Sequence, residues 1–332
     1  MICSLLFLVV GQGSIPERTK LTDTLAMSLP EWKNWSKSNG VELSLTNDFA
    51  GSPGPFSGGL FERLDLLALA LGKRLRIRHQ SVLIESGSKG IISQGSRFCR
   101  GEVESVVLSN QLDEGRGFMS IGVQVAWHPK LHPILIQAGT FHFGSRNGKS
   151  FVSRPTSWQA VEEDFVAQLQ LKADKPPRSL PGFDSLEGNI RMVVPNQLLW
   201  LDLGGLTDRG EQPDFLVGKT KVRRLGAQVS SRRVSLEVEI QPGPSEYTIE
   251  SYQEGVLTGL ATLIGPGNFK RNADGQQILE SGNGKIRVRY DWLISANGLL
   301  NTDLGDKRFD LRVGDNYKEM ETFLKFGAID LP

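Results

Sequence analysis

The sequence predicts a mainly β protein, with a sandwich or jelly-roll-like core and a few short peripheral helices. Apolar and polar residues alternate with period two in many short segments, which is typical of half-buried strands. The 37 glycines are dispersed in short turns such as Asn283-Gly284, where they supply the positive φ angles of hairpins. Hydrophobic residues are 39% and charged residues 23% of the chain, as in folded proteins.

The 332 residues are enough for one large domain or two modest ones. We expect residues 1–58 to form an irregular N-terminal segment with one short helix, and residues 59–313 to form the β-rich core domain. A proline-rich loop near 174–182 is the candidate boundary inside that core. Residues 314–332 are expected to form a C-terminal helix and tail.

Four segments carry helix signals. Ser28 is a predicted N-cap for a helix over 31–37, and leucines at helical spacing predict a helix over 60–71, closed by Gly72. Short helices are also expected at 158–163 and 316–326, while 256–264 fits either a helix or a buried strand. The predicted strands are 74–83, 103–108, 118–127, 134–143, 165–171, 190–194, 198–203, 234–240, 247–251, 285–294 and 309–313.

Three stretches alternate basic with apolar or small residues, beginning at Arg74, Lys219 and Lys285. In a strand this pattern places the cations on one face and the apolar residues on the other. The formal charge is only +1, yet no acid occurs between Lys219 and Arg233, so charge is segregated along the chain. The predicted nucleic-acid-binding residues are Arg74, Arg76, Arg78, Lys219, Lys221, Arg223, Arg224, Arg232, Arg233, Lys285, Arg287 and Arg289.

An alternative interpretation of each basic stretch is a solvated strand face, or an edge strand that charge protects from aggregation. Few aromatic residues interleave the cations, and Tyr290 and Trp292 are the exceptions that favour base stacking. If the stretches bind nucleic acid, loss of Arg223 and Arg224 together should weaken binding to all sequences and flatten its salt dependence.

No complete catalytic motif occurs in the sequence. Gly144 and Gly148 are separated by three residues, whereas a phosphate-binding P-loop needs four, so a hairpin turn is favoured. His128 and His132 are each followed by proline, which places them in a loop rather than at metal-binding helical spacing. Cys99 has no nucleophile motif around it. We therefore expect a non-enzymatic protein with no cofactor and no metal, although an enzyme assembled from scattered residues stays an alternative.

The N-terminal run of residues 2–10 is apolar but much shorter than the roughly 20 residues that span a bilayer. No Lys or Arg precedes it, so a buried strand or a peripheral apolar tail is favoured over a signal peptide, and secretion through residues 1–13 is the less favoured reading. The chain has two cysteines, which provide neither a disulfide framework nor a zinc site.

The segment 118–129, Phe-Met-Ser-Ile-Gly-Val-Gln-Val-Ala-Trp-His-Pro, resembles the opening core strand of the thirty-kilodalton superfamily of plant-virus movement proteins. The strands predicted at 134–143, 165–171 and 190–194 follow in the family's order. The resemblance implies a non-catalytic, intracellular protein that binds single-stranded RNA or nucleoprotein and acts at host plasmodesmata. It also implies a host-membrane contact, for which residues 2–10 are the candidate.

Two other functions remain open at this point. One is a self-assembling capsid-like or matrix-like protein, which would form homo-oligomers without nucleic acid. The other is an exported β-rich module that binds lipid or carbohydrate.

Overall fold

The computed structural model confirms the mainly β fold. It describes residues 27–45, 51–54, 56, 58–79, 81–87, 90–93, 98–110, 117–145, 148–161, 165–177, 180–208, 213–230, 232–244, 260–267, 269–293 and 306–331. The apolar run at 2–10 and the predicted strand at 247–251 lie outside the described residues.

Both helices predicted in the N-terminal third are present, as α1 (Leu29–Ser38) and α2 (Leu60–Ala70). At the start of α1, the Glu31 carboxylate accepts hydrogen bonds of 2.6 Å from both the backbone N–H and the hydroxyl of Ser28. These bonds lower the pKa of Glu31. A single 3₁₀ turn, Pro129–Leu131, completes the described helical structure.

The described strands are β1 (Glu42–Leu45), β2 (Arg74–Arg78), β3 (Ser81–Glu85), β4 (Ile91–Ile92), β5 (Cys99–Asn110), β6 (Gly117–Trp127), β7 (Leu135–Gly144), β8 (Ser150–Val152), β9 (Gln159–Ala160), β10 (Val166–Asp174), β11 (Gly182–Phe183), β12 (Ser185–Gly205), β13 (Phe215–Val217), β14 (Thr220–Val229), β15 (Arg233–Gln241), β16 (Leu260–Gly265), β17 (Phe269–Asn272), β18 (Gly275–Gly282), β19 (Lys285–Leu293), β20 (Arg308–Phe326) and β21 (Ile329–Asp330). None of the described helices is long and apolar enough to cross a membrane.

The chain divides into two compact units. The N-terminal unit contains Ser14–Val193 and Glu319–Pro332, and the sandwich unit contains Val194–Lys318. The long strands β12 and β20 each contribute residues to both units.

Within the N-terminal unit, β1, β3 and β2 form a small sheet in which β1 runs parallel to β3. A second sheet has the order β10-β6-β5-β4, and β7 pairs with both β8 and β12. Helix α2 is tied to β5 by a buried ion pair, in which the Arg100 guanidinium lies 2.9 Å from Asp65 and 2.7 Å from Glu102. Arg100 is therefore a structural cation.

The sandwich unit contains a five-stranded antiparallel sheet with the order β13-β14-β15-β19-β18. Strands β17, β16, β20 and β12 are consecutive neighbours in a second, seven-stranded sheet. Their inner faces share one core, in which β15 and β19 contribute alternate residues such as Leu236 and Val288, and β20 contributes Phe309. The Trp292 and Phe309 ring centroids are 5.4 Å apart.

The helix predicted over 316–326 is wrong, because these residues belong to β20. Met320, Phe323 and Leu324 have helical spacing, but burial alternates with period two at the end of the strand. Leu324 and Phe326 are buried, whereas Phe323 is 53% exposed. Packing of that alternate set onto a core decides the conformation here.

Three further predictions near the strands are revised. The helix expected over 158–163 is wrong, since Gln159–Ala160 is the short strand β9 paired with β7. The described part of the ambiguous segment 256–264, residues 260–264, lies in β16 (Leu260–Gly265). The two strands expected at 190–194 and 198–203 are one continuous strand, β12, which Pro195 does not interrupt.

Candidate nucleic-acid interface

The second and third basic stretches lie on the same sheet. The second forms β14 with its preceding turn and the third forms β19, and both strands pair with β15, which lies between them. Adjacent strands in a sheet are about 4.8 Å apart, so the two cationic rows are separated by about 10 Å. Residues more than fifty positions apart in sequence thus contribute to one sheet face.

The alternation predicted for the third stretch is confirmed along β19. Ile286, Val288, Tyr290 and Trp292 are buried in the core, and Lys285 and Arg287 are exposed on the opposite face. Tyr290 and Trp292 are 1% and 0% exposed, so they are core residues and are not available to stack on bases.

Carboxylates on β15 and β19 pair with the cations of β19. Arg287 lies 2.7 Å from Glu237, and Lys285 lies 2.9 Å from Glu239. Arg289 donates to Gln277 and is 3.6 Å from Asp291. The hydrogen bond from Arg287 to Glu237 raises the pKa of that guanidinium. The basic row therefore forms one side of a ladder of ion pairs.

The cations at the start of β14 have a carboxylate partner as well. Asp214, which directly precedes β13, is 2.5 Å from the Lys221 ammonium and 2.7 Å from the Arg223 guanidinium. Hydrogen bonds from Arg223 and then Lys221 hold the pKa of Asp214 far below its usual range. Both cations stay partly exposed, at 39% and 42% of their side-chain areas.

Arg224 is not a surface residue, and its assignment to the binding surface is wrong. Its side chain is 1% exposed. The guanidinium donates to the backbone carbonyls of Leu203 at 2.6 Å, Gly205 at 2.9 Å and Asp208 at 3.1 Å. It also lies 5.4 Å from the Phe309 ring centroid. Burial lowers the pKa of Arg224, and the charge of Asp208 opposes that shift. Arg224 therefore secures the end of β12 to the sheet.

The remaining cations of the second stretch lie at the two ends of β14. Lys219 is exposed in the turn between β13 and β14, and Arg232 is exposed in the turn that follows β14. Arg233, at the start of β15, is 46% exposed and 3.6 Å from Asp291. The exposed charge of the second stretch is therefore concentrated near the two ends of β14.

The first stretch belongs to the N-terminal unit. In β2, Leu75 and Ile77 are buried, and Glu85 on β3 lies 2.8 Å from Arg74 and 3.5 Å from Arg76. The hydrogen bond from Arg74 is the first cause of the lowered pKa of Glu85. Arg78 is exposed at the end of the strand. These residues do not share a sheet with β14 and β19.

Other predicted sites are also placed by the structure. Gly144 is the last residue of β7 and Gly148 lies in the turn before β8, so the hairpin interpretation is confirmed. His128 Nδ1 accepts a 3.2 Å hydrogen bond from the backbone N–H of Lys130, and burial lowers the pKa of His128 to about 4. Cys99 is buried. Among the described residues, no group of three or more His, Cys, Asp or Glu side chains is arranged to hold a metal ion.

The sequence interpretation missed the carboxylates of β15, which pair with the cations of β19. Glu237 and Glu239 occupy the same alternating phase as Arg233. The pattern Arg-Val-Ser-Leu-Glu-Val-Glu-Ile over 233–240 already shows them on the solvent face of that strand. What the sequence does not show is that this acidic strand lies beside both basic ones.

The chain is thus a β-rich protein with a two-sheet sandwich unit. One face of that unit carries a row of exposed ion pairs. No model of a known protein family matches the chain, and no curated protein matches it significantly.

Proposed function

We propose that this chain is a non-catalytic nucleic-acid-binding protein, and that its contact surface is the solvent-exposed face of the five-stranded sheet. The observation that carries the proposal is the convergence of β14 and β19 on that one sheet. A surface of this kind contacts phosphates through Lys and Arg and gains affinity from counterion release.

The ion pairs on this face determine how strong such binding would be. Exposed pairs contribute about 0–1 kcal/mol each, so a phosphate can displace a carboxylate partner at little cost. The carboxylates still repel a polyanion, and they offset most of the positive potential. The proposal therefore predicts modest affinity that decreases steeply with salt.

The test is a titration of a fluorescently labelled single-stranded oligouridine with the full chain over a series of salt concentrations. We expect measurable binding at low salt. Changing Arg287 and Arg289 to Gln should weaken binding and reduce the slope of log K against log salt by about 1.4, since each lost contact on a single strand removes about 0.7. Arg224 is unsuitable for this test because its loss would disturb the core.

The matched control is the double variant Arg74→Gln and Arg76→Gln. It removes the same charge from the same type of strand in the N-terminal unit. Its salt slope should equal that of the unmodified chain. Absence of binding at low salt, or equal slopes for all three proteins, would refute the proposal.

A role as a movement protein at plasmodesmata is a narrower version of this proposal. It is supported by the resemblance at 118–129, which lies in β6 and the turn after it, and β7, β10 and β12 follow in the expected order. That region belongs to the N-terminal unit, whereas the cations of β14 and β19 belong to the sandwich unit. Fluorescently tagged protein that fails to accumulate at plasmodesmata of plant cells would eliminate this narrower version.

A further inference from the structure

The outer face of the second sheet of the sandwich unit carries a half-buried tryptophan, Trp200. Its neighbours on β12, Leu199 and Leu201, point into the core, so the indole lies on the opposite side of the sheet. The Lys270 ammonium, on β17, lies 4.8 Å from the centroid of the indole ring. Since Lys270 also is exposed, the aromatic ring and its cation form part of the protein surface.

A carboxylate on the same side of the sheet lacks a complete set of partners. Asp310, on β20 between the core residues Phe309 and Leu311, is 15% exposed. Its Oδ1 atom is buried and has no hydrogen-bond partner among the described residues. Burial raises the pKa of Asp310, opposed by the charge of Arg308 and with a further rise from Asp202. A buried acceptor without a donor is costly. Because this oxygen is closed to solvent in the structure, a ligand hydroxyl can reach it only after a neighbouring side chain moves.

The site lies where this face changes from covered to exposed. Thr262 and Arg312 point to the same side as Asp310 and are 0% and 7% exposed, whereas Arg308 at the other end is 53% exposed. Trp200 and Asp310 have intermediate exposure. Trp200 and Asp310 therefore lie at the border between the covered and the exposed part of this face.

The charges of the site indicate what kind of ligand it fits. Arg308 lies 3.4 Å from Asp202 and 3.8 Å from Asp310, and Lys270 is the second cation, so two cations face two carboxylates. This balance does not favour a dianionic phosphate. An aromatic ring face, a carboxylate and a guanidinium on the same side of one sheet suit a ring with an apolar face and a rim of hydroxyl groups.

We propose that Trp200, Asp310 and Arg308 form a binding site for a neutral hexopyranose unit of a carbohydrate. The sugar ring packs on the indole, a sugar hydroxyl donates to Asp310 Oδ1, and Arg308 donates to a neighbouring hydroxyl oxygen. Lys270 moves off the indole, which admits the ring and opens Asp310 Oδ1 to the sugar. This site is independent of the nucleic-acid surface proposed for the five-stranded sheet.

The test is isothermal titration of the full chain with β-linked hexasaccharides of glucose, mannose and galactose, with tryptophan fluorescence as a second readout. We expect at least one of the three to bind. Trp200→Ala should weaken that binding at least about tenfold, as loss of an aromatic stacking partner does elsewhere. Asp310→Asn should weaken it less, and Lys270→Met should keep or strengthen it because the ammonium no longer covers the ring.

The control is Trp35→Ala, which removes a half-buried tryptophan from α1 in the N-terminal unit. Circular dichroism verifies that each variant folds, and Trp200→Phe serves if Trp200→Ala does not. No binding of any of the three sugars would overturn the proposal. So would sugar binding that survives loss of the indole at position 200, or a fluorescence change produced only by nucleoside monophosphates.

Discussion

β14 and β19 begin with nearly the same sequence pattern, yet they use their arginines differently. β19 keeps cations and apolar residues in strict alternation, so all of its cations lie on the solvent face. In β14 the doublet Arg223-Arg224 occupies both phases, and the second arginine enters the core position that follows Thr220 and Val222. The position of a cation in the alternation, and not its presence in a basic run, decides whether it can bind a ligand.

The largest expected effect concerns the buried arginine of β14. Arg224→Met leaves the carbonyls of Leu203, Gly205 and Asp208 without their donor, so we expect a loss of about 3 kcal/mol in the free energy of unfolding. Arg287→Met in β19 is the control and should cost less than about 1 kcal/mol. The measurement is urea denaturation, and equal losses in the two variants would contradict the comparison.

Much of this contrast could be predicted from the sequence. Counting in steps of two from Lys219 places Thr220, Val222 and Arg224 on one face, and Leu225, which is 38% exposed, on the other. The strand class, the helices α1 and α2 and the outward cations of β19 also follow from local patterns. Long-range pairing does not: the placement of acidic β15 between two basic strands depends on sheet order, which no local pattern encodes.

Exchanging the residues at positions 224 and 225 of β14 tests whether the side of the strand on which an arginine lies matters more than the number of arginines. The variant Arg224→Leu with Leu225→Arg has the same composition as the natural chain. We expect a stability loss close to that of Arg224→Met, since the buried hydrogen bonds disappear. Binding of single-stranded RNA should not decrease, because the moved arginine joins the solvent face. Weaker RNA binding by the folded variant would contradict the idea that the side of the strand on which an arginine lies decides whether it can bind RNA.

A smaller effect is expected in the titration of Asp214, the carboxylate that pairs with the cations of β14. Because Arg223 and Lys221 depress the pKa of Asp214, its ion pairs are fully present above the unfolded pKa of about 3.9 and are lost only as pH falls through the lower folded value. A carboxyl-carbon NMR titration should show Asp214 still ionised at pH 3. Arg223→Gln should move its titration upward toward the ordinary range. An ordinary titration in the unmodified chain would mean that these pairs do not persist in solution.

The smallest expected effect is the coupling within a single exposed pair of β19. A double-mutant cycle on Arg287 and Glu237, with each changed to Ala, should give about 0.2–1 kcal/mol of interaction energy. A value this small lets a phosphate replace Glu237 at little cost. A coupling above about 2 kcal/mol would instead mean that Arg287 is committed to the fold.

The most direct test of the account is to remove the carboxylates that accompany the basic strands. The double variant Glu237→Gln and Glu239→Gln should bind single-stranded oligouridine more tightly than the natural chain, on the order of tenfold at low salt. The pair Glu187→Gln and Glu321→Gln changes the net charge equally in the N-terminal unit, and it should have a much smaller effect. Tighter binding only in the first variant would support the sheet face as the nucleic-acid surface, and equal or unchanged affinity in both would contradict it.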